Sequence, residues 1–192
     1  MKKQILIILL INIFLITGCS PGHWLGAGEV VAKEKGEKIV QAIVNNDISV
    51  LKENFSKNAI DSAEQFDETA EEMLSLFQNK KIVSYGYNYS SDTADIEKDS
   101  YVQDADADLF IHTETADYDI YYIVRTEDTI ERDNEGISKI VIAETIGNAH
   151  PVHGMEEIAS DNKGIFIGES RIENGLLSTN GEIEGVEITP LN

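Results

Sequence analysis

The sequence predicts an α+β fold in which N-terminal helices pack on a curved antiparallel sheet. Two patterns predict it. Apolar residues recur with the helical period from Val30 to Phe77, and from Lys81 they recur with period two in four successive segments. Size agrees: 192 residues, 42% of them hydrophobic, favour one domain with a real core.

The first helix keeps Ala32, Gly36, Ile39, Val40, Ile43 and Val44 on one face, with Lys33, Glu34, Lys35, Glu37 and Lys38 between them. Asn45-Asn46-Asp47 breaks it, and Asp47 is placed to cap a short second helix that carries Ile48, Leu51 and Phe55 on one side. Ser62-x-x-Gln65 offers a capping box for a third helix, in which Phe66, Ala70, Met73, Leu74 and Phe77 align.

The strands follow. Lys81 to Ser90 places Val83, Tyr85, Tyr87 and Tyr89 together. Ala105 to Thr113 sets Ala107, Leu109 and Ile111 opposite Asp104, Asp106 and Asp108, which are expected on a solvent face. Asp117 to Thr126 aligns Tyr118, Ile120, Tyr122 and Val124. Gly136 to Ile146 sets Ile140 and Ile142 against Ile137, Val141 and Ala143, after a turn at Asn134-Glu135-Gly136. Strands this long suit a bent sheet. Residues 148–192, rich in Gly, Asn and Glu, read as a mostly irregular C-terminal extension with at most a small hairpin among Ile165-Phe166-Ile167, Leu176-Leu177 and Val186-Glu187-Ile188.

The chain starts Met1-Lys2-Lys3, and Ile5 to Ile16 are apolar except for Asn12. That order is the basic and apolar part of a secretory signal, too short to span a bilayer comfortably. The run ends in Leu15-Ile16-Thr17-Gly18-Cys19, which resembles a bacterial lipobox. The resemblance implies that the Cys19 thiol is diacylated and that cleavage leaves Cys19 first. Two acyl chains suffice for stable anchoring where one is marginal. Cys19 is the only cysteine, so an intrachain disulfide cannot form.

The expected division is therefore a signal peptide at 1–18, a lipidated tether at 19–29, the α+β domain at 30–147 and the extension at 148–192. The expected place is the extracytoplasmic face of a bacterial cell membrane, reached through the lipid on Cys19. Loss of Lys2 and Lys3 with the signal takes the net charge from -20 to -22, so anionic lipids repel the domain itself. Trp24 in the tether fits either the membrane interface or loose packing on the domain. The acidic balance makes nucleic acid an unsuitable partner, since phosphate binding needs clustered Lys and Arg. Aperiodic glycines, 3 prolines and a single long apolar stretch exclude collagen, coiled coils and polytopic membrane proteins.

Helices followed by long antiparallel strands, with Val40-Gln41-Ala42-Ile43-Val44-Asn45-Asn46-Asp47-Ile48-Ser49-Val50-Leu51-Lys52-Glu53-Asn54-Phe55-Ser56 as their opening, resemble the nuclear transport factor two-like, or cystatin-like, α+β roll. The arrangement is also similar to uncharacterised lipoproteins of Gram-positive bacteria that carry a domain of unknown function. The first resemblance implies a bent sheet wrapped round a long helix as a cone with an open mouth. It does not imply an activity, because that superfamily holds both enzymes and binding modules.

In such a cone, Tyr85, Tyr87, Tyr118, Tyr122 and His112 are the candidate pocket-lining residues, and Asp117 and Asp119 are the carboxylates that a ketosteroid-isomerase-like or dehydratase-like enzyme would need. The plainer reading packs the tyrosines in the sheet and turns the acids to water, and no catalytic motif is present. Asp104-Ala105-Asp106-Ala107-Asp108 fails as a calcium loop, with Leu109 at the sixth position and Thr115 at the twelfth. Asp92, Asp95, Glu97 and Asp99 would add no more than a diffuse cation site. His150-Pro151-Val152-His153 lacks a third zinc ligand at a suitable spacing, Gly164 to Gly168 lacks the context of a phosphate loop, and G-x-S-x-G is absent. No metal or cofactor is expected. The function expected is a non-catalytic, membrane-anchored module that binds a small molecule, a peptide or an envelope protein. A surface-anchored enzyme and an acidic module capturing a basic partner are the alternatives.

Overall fold

A computed structural model describes residues 27–97, 100–145, 164–167 and 187–190. The signal, the lipobox with Cys19, Trp24, Asp99, His150, His153 and Leu176-Leu177 lie outside the described residues. Among those described, four helices, α1 (Ala27–Asn45), α2 (Ile48–Asn54), α3 (Lys57–Ser62) and α4 (Phe66–Ser75), precede strands β1 (Ile82–Glu97), β2 (Ser100–Thr113), β3 (Asp117–Asp128), β4 (Gly136–Thr145), β5 (Gly164–Ile167) and β6 (Glu187–Pro190). The α+β class follows directly: the helices cover one face of a sheet ordered β5-β4-β3-β2-β1-β6, antiparallel except for the parallel β4–β5 pair.

Helix α1 buries Ala32, Gly36, Ile39, Val40, Ala42 and Ile43, as its period requires. Among the described residues it runs from Ala27, so Ala27, Gly28 and Glu29 are helical. It ends in a Schellman motif: Asn46 is left-handed (φ 50°), Asp47 N–H donates to Ala42 O (2.9 Å), and Asn46 N–H donates to Ile43 O (3.2 Å). The same Asp47 caps α2, its Oδ1 accepting from Ser49 N (2.8 Å) and Val50 N (3.4 Å). Asp47→Ala is expected to lower stability by about 1 kcal/mol in urea unfolding; a loss under a few tenths would mean that the cap is idle.

The next stretch departs from the sequence pattern. Ser56 caps an additional helix, α3, accepting from Ala59 N (3.1 Å), and Ser62 is its last residue. Ser62 therefore cannot form the capping box: its hydroxyl donates back to Asn58 O, and Gln65 enters α4 in the left-handed region (φ 59°) without a side-chain cap. The apolar register of α4 survives, with Phe66, Ala70, Met73 and Leu74 buried and Phe77 buried just beyond.

The helix-side face of the sheet carries Ala105, Ala107, Leu109, Ile111, Tyr118, Ile120, Tyr122, Val124, Ile140 and Ile142 in one core with the helices. Four register shifts interrupt the simple alternation, and two of them change which residues reach the core. A register shift between Ile82 and Ser84 leaves Val83 39% exposed and outside that core. Another, opposite Ile123 and Val124, inserts Ser138 and brings Ile137 into the main core instead of beside Val141. The two described pieces of the C-terminal extension do not pair as a hairpin: β5 joins β4 and β6 joins β1, at opposite edges of the sheet.

The far face of the sheet is not the acidic solvent face expected. Asp108 is 1% exposed and Asp119 0%. Tyr121, Val141 and Ala143 form a second buried cluster there with Ile123 and Phe166. Asp104 makes a two-pronged pair with Arg125 (2.8 and 2.8 Å), and Asp106 and Asp108 accept from Ser91 and Ser90. Asp128 organises the β3–β4 connection, accepting from Ile130 N, Glu131 N, Asn134 Nδ2 and Arg125. Burial alone would raise its carboxyl, but these donors together hold it below the ordinary value.

Candidate functional site

The tyrosines reach the helix-side face and pack in or against its core. Tyr122 is fully buried, and its hydroxyl donates to Ala32 O (2.8 Å). The fit depends on Gly36, where a Cβ would stand 2.5 Å from the Tyr122 hydroxyl. Tyr87 donates to Glu29 O (3.2 Å). Burial pushes both phenols well above their ordinary value, so both stay protonated. Tyr85 is half-buried against the same core. His112 is absent from this group. Its position alternates with Ile111, so it lies on the opposite face, exposed and paired through Nδ1 with Asp117.

One prediction arises at this contact. Gly36→Ala is expected to cost about 2 kcal/mol by displacing the Tyr122 hydroxyl from Ala32 O, despite the better helix propensity of Ala. In a Tyr122→Phe background most of that cost should vanish, and a double-mutant cycle by chemical denaturation reads the difference. Additive losses would show that the close approach is not the cause.

Open space is found at one end of the helix–sheet layer. A groove of about 570 Å³ runs between the C-terminal turn of α1 and the chain leading from α4 into β1. Ile43, Val44, Leu74, Phe77 and Ile82 supply its apolar surface, and Asn46, Gln78, Asn79, Lys80 and Lys81 its polar one. The loop is shaped by turn-type bonds from Phe77 N to Leu74 O (3.1 Å) and Lys80 N to Phe77 O (3.0 Å), with Asn79 left-handed (φ 61°). Lys81 pairs with Glu114 (3.5 Å).

Tyr118 backs this groove. Its ring meets Phe77 (4.5 Å between centroids), and the Lys80 ammonium donates to its hydroxyl. Tyr118 touches groove-lining side chains, whereas Tyr87 and Tyr122 sit further along the sheet beneath α1. Sequence reasoning missed the groove because it is assembled from two segments far apart in the chain, the end of α1 and the stretch from the end of α4 into β1. The only local signals were the Asn46 and Asn79 breaks, whose spatial proximity no periodicity reveals.

Among the described residues, no group of three His, Cys, Asp or Glu side chains is placed to hold a metal ion, and no helix is long and apolar enough to cross a membrane.

Residues 38–146 match the family described as "Domain of unknown function (DUF5104)", more than half of the chain. The chain belongs to this family. The match begins within α1 and ends at the close of β4, so it contains every segment that builds the groove. No curated protein matches the chain.

Proposed function

We propose that this member of the family is a lipoprotein anchored through Cys19 to the extracytoplasmic face of a bacterial membrane, where it binds a small amphiphilic ligand without chemical conversion. The observation that carries the binding role is the groove: an apolar floor of Ile43, Leu74, Phe77 and Ile82 beside amides and two lysines. That combination suits an aliphatic or aromatic body with a carboxylate or similar polar end. The lining side chains include no carboxylate or imidazole to serve as a general base. The buried Asp119 carboxyl faces away from the groove on the other side of the sheet. The lipobox residues Leu15 to Cys19 support the anchor, and the element order supports a cone-type roll whose interior is packed with tyrosine.

Thermal-shift titration with fatty acids and N-acylated amino acids tests the reading. A ligand at a hundred times its Kd should stabilise the domain by about 2.7 kcal/mol. Val44→Trp, at a half-exposed groove position, should abolish that shift while leaving the unliganded domain folded. A shift that survives Val44→Trp, or turnover of any bound compound, would overturn the reading.

A further inference from the structure

The topology places the groove and the start of α1 at opposite ends of the described domain. Helix α1 runs antiparallel to β1. At its start, Gly28 lies against Asp92 and Glu29 against Tyr87; at its end, Ile43 and Val44 join Ile82 in the groove. Its 19 residues span about 28 Å. Beyond Asp92, β1 continues to Glu97 and turns into β2, carrying the hairpin about 17 Å past the start of the helix. The β3–β4 connection closes the same end, because Thr129 N–H donates to Tyr101 O (3.0 Å), and Tyr101 pairs with Ile96.

This end also carries the three most exposed large apolar side chains among the described residues: Val30 (69%), Ile96 (71%) and Ile130 (72%). They stand on α1, the β1–β2 hairpin and the β3–β4 connection respectively. Only seven residues lie between Cys19 and Ala27, and the eight Cα steps reach at most about 28 Å. The chain that precedes α1 is thus short, and it enters the domain at the end bearing these residues.

We infer that this end rests on the lipid surface through Val30, Ile96 and Ile130, and that the groove opens on the side away from the bilayer. The inference rests on the anchored-lipoprotein reading and deepens it: the ligand comes from the aqueous medium beyond the membrane and not from the lipid itself. Exposed acids at the tether end, Asp95 and Glu131 among them, are tolerated by neutral headgroups and opposed by anionic ones. Apolar contact supplies the attraction.

The test uses the full-length acylated protein in phosphatidylcholine vesicles that carry an energy-transfer acceptor at the headgroups. Cys19 is the only native cysteine, so Asp95→Cys and Gln78→Cys, both at exposed positions, each take a single donor label. Transfer from position 95 should exceed that from position 78 by about threefold, given the roughly 28 Å offset along α1. Ile96→Asp combined with Ile130→Asp should reduce transfer from position 95 by about half. Equal or reversed transfer from the two labels, or no response to the paired Asp substitutions, overturns the inference while leaving the anchor intact. The mass of the N-terminal peptide and flotation with the vesicles are read on the same sample. An unacylated Cys19 in protein that fails to float overturns the anchor, and the orientation with it.

Discussion

Gly136→Ala should be among the most damaging single substitutions in the domain, costing about 4 kcal/mol. Gly136 starts β4 at φ +124°, a region that L side chains rarely occupy, and holding one there costs about 1–3 kcal/mol. A Cβ at this position would also stand 2.8 Å from Ser56 N, 3.0 Å from Phe55 C and 3.1 Å from Asn54 O. These are backbone atoms of the α2–α3 junction, so nothing flexible can yield, and overpacking adds a cost of about the same size. The junction is tied to β4 by the bond from Ser56 N to Ile137 O (2.9 Å), which the intruding methyl would break. Gly164 provides a control. It has nearly the same φ (+123°), but its nearest neighbour is the Ala63 Cβ at 3.1 Å. Gly164→Ala should therefore show the backbone strain with little of the clash. Urea unfolding of both variants separates the two contributions, and equal losses would refute the junction clash.

The second large effect concerns Asp119 and has the opposite sign. This carboxyl is fully buried, neither oxygen has a well-formed hydrogen bond among the described residues, and Phe110 and Ala143 stand beside it on the neighbouring strands. Burial first, and the nearby Asp108 second, raise its pKa well above the ordinary range, whereas the backbone N–H of Ile120 opposes the shift. The folded protein therefore retains a proton that the unfolded chain releases above about pH 4. Because the native state binds more protons, stability must fall as pH rises from there. The slope is up to about 1.4 kcal/mol per pH unit until the folded-state pKa is reached. Asp119→Asn removes this dependence. The variant should match the wild type near pH 4 and become progressively more stable towards neutrality, as read by chemical denaturation between pH 4 and 8. Parallel curves for the two proteins would show that Asp119 ionises freely in the fold.

Asp119 also shows where sequence reasoning stops. Period two correctly separates Asp104, Asp106 and Asp108 from Ala105, Ala107 and Leu109, and Asp119 from Tyr118 and Ile120. It cannot tell whether the second face meets water. Here the far face buries its own cluster of Tyr121, Val141 and Ala143, so acids expected in solvent lie in the interior. Local rules did well wherever one element sufficed. Asp47 caps α2 because an extended Asp before a helix finds free N–H groups within two or three residues. Ser62 failed as a cap because α3, a short helix capped by Ser56, had already taken it.

The chain alone dictates that helices precede strands and which residues of each regular stretch share a face, since each depends on neighbours within a turn or a pleat. Only the folded molecule decides that Tyr122 fills the space under α1 by lying against Gly36, that a shift opposite Ile123 turns Ile137 inward, and that Ile43, Leu74 and Lys80 meet around one groove. Those facts arise from contacts between segments far apart in sequence. A shift of one residue in register or a single small side chain redirects such contacts without leaving a periodic trace.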